Sequence, residues 1–169
     1  MTNNRIRRIA PTEPYIFLHG VDNAGINTTP TPLVWGHMDI KTSELHYVEG
    51  DDRVVVRRGG TGIYEITVSA CADRTGGNPG HFHVELYVNG VACICGEAHG
   101  VCGAASEHGN AILLYSIYLN EGDYVQTYVS VDNGTAVIEP GTGRFRMKML
   151  SMKGWDNGAG GTAISDRRE

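Results

Sequence analysis

Short alternations of apolar and polar residues run through the middle of the chain. Two segments show this most clearly, and their apolar positions are Tyr64, Ile66, Val68 and Ala70 in residues 62–72 and Phe145, Met147 and Met149 in residues 143–152. A period of two is that of a β-strand with one buried face. Similar strand patterns occur in residues 53–56, 81–88, 91–95 and 123–131. No useful segment has the helical period, so the pattern predicts an all-β chain.

Residues 111–119 are apolar on both faces. One face carries Leu113, Tyr115, Ile117 and Leu119, and the other carries Ile112, Leu114 and Tyr118. A strand that is apolar on both sides has to be covered on both sides. The core can cover one side. The other side needs a second element of this chain or a second subunit.

The composition suits one domain built from short strands and tight turns. The chain has 169 residues, of which 41% are apolar, with 23 Gly and 6 Pro. We expect a sandwich or barrel of about eight to ten strands. The calculated net charge is −5, and no secretory signal or membrane span is recognisable. We expect a docking arm in residues 1–14, a folded domain in residues 15–153 and a Gly-rich tail in residues 154–169.

The segment HFHVELYVNGVACIC, residues 81–95, concentrates histidine, glutamate and cysteine. Its central Asn89-Gly90 is the strongest short hairpin signal and predicts a two-residue turn. The resulting register pairs Val88 with Val91, Tyr87 with Ala92, Leu86 with Cys93, Glu85 with Ile94 and Val84 with Cys95. Directly paired residues share a face, so the cysteines and the histidines lie on opposite faces. Cys93 and Cys95 are therefore expected in the core as small apolar groups.

Two groups of residues could in principle bind a metal. His81, His83 and Glu85 share the other face of the hairpin. The cupin pattern needs about three or four residues between its second His and its Glu, whereas here only Val84 lies between them. His99, Cys102 and His108 lie in a Gly-rich segment that we interpret as a loop, with no known zinc-knuckle spacing. A polar surface is the favoured interpretation of both groups, and a metal site is the alternative. We expect no metal and no cofactor.

The sequence shows no arrangement typical of an enzyme or a nucleic-acid-binding protein. There is no nucleophile elbow and no phosphate-binding loop. The cationic groups are Arg5, Arg7 and Arg8 near the start, and Arg144, Arg146 and Lys148 on the outward face of residues 143–152. The chain is acidic overall and lacks aromatic residues interleaved with these groups, so no nucleic-acid partner is expected. We expect the first group to dock onto an acidic protein surface.

The order of strands and turns resembles that of the C1q/TNF-like jelly-roll family over roughly residues 50–152. The matching features are Gly62 and Tyr64, then Val84, Leu86, Val88 and Asn89-Gly90, then Leu119, Gly122-Asp123 and Val125, and finally Gly143, Phe145 and Met149-Leu150. The resemblance implies a homotrimer of sandwiches with about ten antiparallel strands, in which apolar and aromatic residues line the three-fold axis. We expect the trimer interface to use Leu114, Tyr118, Tyr124 and Tyr128. The alternative is that these aromatic residues close the core of a single subunit.

We expect this chain to differ from the secreted members of that family in having no collagen-like stalk, no anchor and no signal. In this it resembles phage head decoration proteins and fibre knobs. We expect a virion structural protein, not an enzyme, that binds the major capsid protein as a trimer on the outside of a phage head. A receptor-binding knob that recognises a host glycan or protein through residues 73–80 and 96–109 is the second hypothesis. A cupin-like metal enzyme is the third.

Overall fold

The computed structural model describes residues 13–21, 25–103, 108–139 and 141–150. These residues form thirteen β-strands and no helix, which confirms the all-β prediction. Ten of the described strands have four or more residues. The strands are β1 (Tyr15–Val21), β2 (Gly25–Ile26), β3 (Thr31–Pro32), β4 (Trp35–Lys41), β5 (Leu45–His46), β6 (Arg53–Val56), β7 (Gly62–Gly76), β8 (Gly80–Val88), β9 (Val91–Cys102), β10 (His108–Leu119), β11 (Tyr124–Val131), β12 (Thr135–Ile138) and β13 (Arg144–Met149).

The strands form two antiparallel sheets. In the first sheet, β10 pairs with β7 along its whole length, and β13 and β12 follow one another along the other side of β7. This sheet continues from β13 through β1 to β4, and β2 pairs with β12. The second sheet has the order β5-β6-β11-β8-β9, with β3 also on β11. The 15-residue β7 therefore organises the first sheet, and β8 and β11 lie inside the second.

The core lies between the two sheets and is built by alternating positions. On β7, Tyr64, Ile66 and Val68 are fully buried, and on β13 Phe145 and Met147 are buried too. Trp35 on β4 is 1% exposed, and its ring centroid lies 5.9 Å from that of Phe145. The predicted alternation of both segments is confirmed, because each buries the apolar face that the pattern indicated.

The hairpin of β8 and β9 follows the predicted register only next to its turn. Val88 pairs with Val91 and Tyr87 with Ala92, but the register then shifts, and Val84 pairs with Ala98 instead of Cys95. A β-bulge causes the shift, and Cys95 in it has a φ of 62°. Cys95 is exposed, so its predicted place in the core is wrong. Cys93 packs against the core but is only half-buried, so its predicted place in the core is confirmed only in part.

The Gly-rich segment of residues 96–109, which we interpreted as a loop, is largely strand, and strands also extend into neighbouring segments. β9 runs on to Cys102, β10 begins at His108, and β7 extends to Gly76. Residues 19–32 contain the end of β1 and the short strands β2 and β3. In β9, a Cβ added at Gly100 would lie 2.2 Å from the backbone oxygen of Asn110. The glycines of this segment therefore allow β9 and β10 to approach closely, instead of marking a loop.

Strands β1 and β13 are antiparallel neighbours, so the start of the first described strand lies beside the end of the last. Tyr15 pairs with Lys148, and the backbone N–H of Met149 donates to the carbonyl of Pro14 at 2.8 Å. Most of the predicted arm in residues 1–14 and all of the tail in residues 154–169 lie outside the described residues. In the described part of the chain, no helix has the length and apolar character needed to cross a membrane.

Candidate functional site

Exposed apolar side chains are concentrated on two strands, β9 and β10. We call these residues the apolar edge, and they are Val91, Ile94 and Val101 on β9 and Ile112, Leu114 and Tyr118 on β10. Ile94 is 87% exposed and Leu114 is 63% exposed. In the described part of the chain, only Val48 and Leu150 are large, apolar and exposed outside this edge. Isolated apolar side chains on a surface are ordinary, but a concentration on adjacent strands indicates an interaction site.

The two strands of the apolar edge belong to different sheets and meet along one side of the sandwich. The hydroxyl of Tyr115 on β10 donates to the backbone oxygen of Ile94 on β9 at 3.0 Å. A Cβ at Gly109 would lie 2.9 Å from the backbone oxygen of Val101, so the backbones are also close there. Among the described strands, β9 has a hydrogen-bonded neighbour on one side only, which is β8. Within the described residues, the apolar edge is thus the side on which neither β9 nor β10 has a further hydrogen-bonded strand.

A polar zone borders the apolar edge on the outer face of the first sheet. Leu114 pairs with Thr67 on β7, and Thr67 pairs with Arg146 on β13. Arg146 donates to Glu65 at 2.7 Å and to Thr67 at 3.1 Å. This part of the predicted basic row is therefore held by its own chain. A contact on the outer face of the first sheet would have an apolar side and a charged side, which is typical of protein interfaces.

The structure separates the four residues predicted for the trimer interface. Leu114 and Tyr118 are exposed on the outer face of the first sheet, whereas Tyr124 and Tyr128 lie on β11 in the second sheet. The ring of Tyr128 lies 4.0 Å from that of Tyr87, and the guanidinium of Arg53 lies 5.9 Å from the ring of Tyr124. Both tyrosines are half-buried by their own chain. The four residues do not form one surface on a single subunit.

The predicted trio of His81, His83 and Glu85 does share the outer face of β8, but the side chains do not converge on one point. The two histidines contact Asp132, whereas the Glu85 carboxylate accepts a hydrogen bond from Tyr87 at 3.4 Å. Burial alone would lower the pKa of His83, but its hydrogen bonds to Glu97 and Asp132 outweigh burial and raise that pKa. The hydrogen bond from His83 is the main reason that the pKa of Asp132 lies well below its usual range.

The second predicted metal group is divided by the fold. Cys102 is buried in the core, where its thiol contacts the backbone oxygen of Ala72 at 3.6 Å. His99 is exposed on the outer face of the second sheet, whereas His108 begins β10 in the first sheet and contacts Asp73. The idea of one site made of His99, Cys102 and His108 is therefore wrong. Arg5, Arg7 and Arg8 lie outside the described residues, so their docking role stays a prediction.

Val91, Ile94 and Val101 are members of the apolar edge that the sequence pattern did not single out. Two of them lie in the hairpin and one in a segment that we interpreted as a loop. One sequence signal could have identified Val101: it lies two residues after His99 and four after Glu97, so it faces the same side of the strand as these polar residues. An apolar residue that follows an outward-facing polar series is a sign of an exposed apolar surface.

Comparison with known proteins supports the fold. No protein-family model and no curated protein matches the sequence. Among solved structures, murine APRIL at pH 8.5 matches with a TM-score of 0.54 and 16% identity over 80% of this chain and 99% of that chain. Murine APRIL at pH 5.0 matches with a TM-score of 0.52 and 14% identity over the same shares. APRIL belongs to the TNF family, and at this identity the likeness shows the fold alone. The described residues therefore adopt the TNF-like jelly-roll fold.

Proposed function

We propose that this protein is a homotrimeric jelly-roll binding protein that works without catalysis and associates through the apolar edge. The observation that carries the proposal is the concentration of exposed apolar side chains on β9 and β10. A long apolar sheet edge in water is prone to uncontrolled association, so a specific cover is favoured. Another copy of the same chain is always present in solution, and it can cover this edge.

The position of the apolar edge favours a closed ring over a symmetric pair. The edge lies at one side of the sandwich, and the polar zone around Arg146 lies next to it on a broad sheet face. When an edge of one copy packs on a different surface of the next, the contact is heterologous, and such contacts form a ring where the rotation between copies closes. The TNF-like fold supports a ring of three, and in it Leu114 and Tyr118 would lie between subunits.

At the level of the particle, we propose that the trimer decorates the outer surface of a phage head and stabilises it. The support is the arrangement of charge in the sequence, since Arg5, Arg7 and Arg8 form a cationic group in a chain with a net charge of −5. A trimer would present three such arms to a capsid site with matching symmetry. Three weak contacts that act together bind far more tightly than one, because the second and third become intramolecular.

Two measurements test the proposal in order. Light scattering after size-exclusion chromatography should give three times the chain mass of 18.3 kDa, and a mass of one chain would contradict self-association. The wild type and a variant with Arg5, Arg7 and Arg8 changed to Ala should then be mixed with phage heads and sedimented. An intact trimer that no longer sediments with the heads supports the docking arm. An intact variant trimer that binds like the wild type contradicts it, and a wild type that binds host cells but not heads favours the receptor-binding hypothesis.

A further inference from the structure

A cluster of imidazoles and carboxylates lies on the outer face of the second sheet. His81 and His83 come from β8, Glu97 and His99 from β9, and Asp132 follows the end of β11. His83 pairs directly with His99, and Glu85 with Glu97, so the side chains alternate toward solvent from two adjacent strands. The bulge in β9 sets this register, because the unshifted hairpin would not pair His83 with His99.

The contacts within the cluster are centred on Glu97 and His83. One oxygen of Glu97, Oε1, lies 2.8 Å from Nδ1 of His83 and 3.1 Å from Nε2 of His99. The other ring nitrogen of His83, Nε2, lies 2.6 Å from Oδ1 of Asp132. The His83 side chain is only 15% exposed, and the ring centroids of His83 and His99 are 4.5 Å apart. Two imidazole nitrogens and one carboxylate oxygen therefore meet at one point, with a second carboxylate behind them.

We propose that His83, His99 and Glu97 bind a divalent first-row transition metal ion such as Zn²⁺, with Asp132 orienting His83. Candidate ligand atoms of the three residues all lie within 4.8 Å of one another. In a tetrahedral zinc site with bond lengths of about 2.0–2.1 Å, ligand atoms are roughly 3.3 Å apart. The spacings around Glu97 Oε1 are slightly shorter than this, so small side-chain rotations would admit an ion. The metal would replace the proton that Nδ1 of His83 shares with Glu97.

The contact between Asp132 and His83 supports a metal site over a simple ion-pair network. A metal-binding histidine commonly donates its second ring N–H to a carboxylate, which fixes the ring and increases its basicity. Asp132 also accepts from the backbone N–H of His81 at 3.0 Å, and the His81 ring donates to it at 2.9 Å. Asp132 is thus itself held in place and can fix the orientation of the His83 ring. The donor set of two nitrogens and one oxygen suits Zn²⁺, Co²⁺ or Ni²⁺ better than Mg²⁺ or Ca²⁺.

A second group of possible ligands lies on the first sheet and is the natural competitor. It contains Cys71, Asp73, His108 and Glu139. Burial, followed by a hydrogen bond with Glu139, raises the pKa of the Cys71 thiol to about 11, so the thiolate is disfavoured there. His108 also adjoins residues 104–107, which the structure does not describe. The histidine cluster needs no thiolate, and its three ligand residues do not adjoin an undescribed segment.

The test is metal titration of the purified full-length chain after treatment with a chelator. Zn²⁺ binding is followed by calorimetry, and Co²⁺ binding by visible absorption. The wild type should bind one ion per chain, and Mg²⁺ at the same concentration should not compete. His99→Ala and Glu97→Gln should each lower the affinity at least about tenfold, and Asp132→Asn about tenfold. Circular dichroism should show that each variant keeps its strand content.

A matched control comes from the first sheet. The ring centroids of His19 and His37 are 5.2 Å apart, and His19 lies 3.1 Å from Asp39. These three residues have the same ligand types as the cluster, but their ligand atoms do not all lie within 4.8 Å of one another. His37→Ala should leave the affinity unchanged. No stoichiometric binding by the wild type, or equal binding by His99→Ala, would overturn the proposal. A thiolate-to-cobalt absorption band that Cys71→Ser abolishes would also overturn it, because it would place the ion at the competing group.

Discussion

The substitution Leu114→Asp on β10 tests whether the apolar edge is a subunit interface. Leu114 points away from the core, and its partner on β7 is Thr67. In a single subunit the side chain already faces water, so an aspartate there should barely change the stability of the subunit. In a trimer the same side chain would be buried against a neighbour. The substitution therefore separates assembly from folding.

The size of the effect follows from the exposure of Leu114. The side chain is 63% exposed in one chain, so this is the part that a neighbour can cover. Full burial of a leucine stabilises by about 1.5–3 kcal/mol, so each contact would lose roughly 1–2 kcal/mol. A three-fold ring has three such contacts and would lose roughly 3–6 kcal/mol. The concentration at which half of the trimer is dissociated scales with the square root of the trimer dissociation constant. This midpoint concentration should therefore rise roughly 10-fold to 150-fold.

The assay is the weight-average mass over a dilution series, measured by light scattering or analytical ultracentrifugation. Val48→Asp is the matched control, because Val48 is 54% exposed but lies outside the apolar edge. The Val48→Asp variant should have the same dissociation midpoint as the wild type. Identical midpoints for Leu114→Asp and wild type would refute the interface, and so would an equal shift in Val48→Asp.

Three other perturbations follow from the fold and the histidine cluster. Gly100→Ala should destabilise the protein by about 1–3 kcal/mol in urea unfolding, since the new Cβ would lie 2.2 Å from Asn110 O, whereas Gly25→Ala has open space and should not. Asn89→Ala should cost about 1–3 kcal/mol in the same assay, because it loses the hydrogen bonds to Asp123 and Tyr124 at a φ of 53°. The pKa of His83 is raised, because its bonds to Glu97 and Asp132 outweigh the opposing effect of burial. The stability that His83 contributes should therefore be complete below its usual pKa of about 6.5 and be lost as the pH rises through the folded value. His83→Gln should flatten that part of a plot of melting temperature against pH, measured with chelator present, and an unchanged slope would contradict the assignment.

Much of the fold follows from local pattern because a half-buried strand has a period of two. The predicted strand in residues 53–56 is β6 with the same bounds, and the predicted alternation of residues 62–72 is that of β7. The strand apolar on both faces proved to be β10, with Leu113 buried and Ile112 exposed. These predictions rest on side-chain burial within one strand. They do not depend on distant pairing, which is why they succeed.

The register of the hairpin could not be obtained in this way. Asn89-Gly90 specified the turn correctly, but the shift between Glu85 and Tyr87 depends on a bulge that includes Cys95 with positive φ. Cysteine does not favour a positive φ, so the sequence around Cys95 gives no local signal for the bulge. The predicted register therefore placed Cys95 in the core and gave the histidines the wrong partners, whereas the shifted register exposes Cys95 and pairs His83 with His99.

The histidine cluster was therefore predicted only in part. His81 and His83 were recognised as outward-facing, which follows from alternation on β8. Glu97 and His99 required the shifted register, and Asp132 required the pairing of β8 with β11 across 49 residues of sequence. Long-range pairing of this kind is set by the whole sheet. A sequence pattern alone gives Glu85 as the third member, whereas the fold gives Glu97.

The pairing of β1 with β13 determines where anything attached to this domain would emerge. Tyr15 and Lys148 are neighbours, so linkers joined before the first described strand or after the last would start at nearly the same point. β8 begins after the turn at residues 77–79, at the opposite end of β7, and the histidine cluster lies near that end. A fluorescent label or affinity tag joined directly before Tyr15 or after Met149 would thus start at one pole of the sandwich. The other pole, with its imidazoles, would remain accessible for immobilisation on a metal-chelate surface in a known orientation.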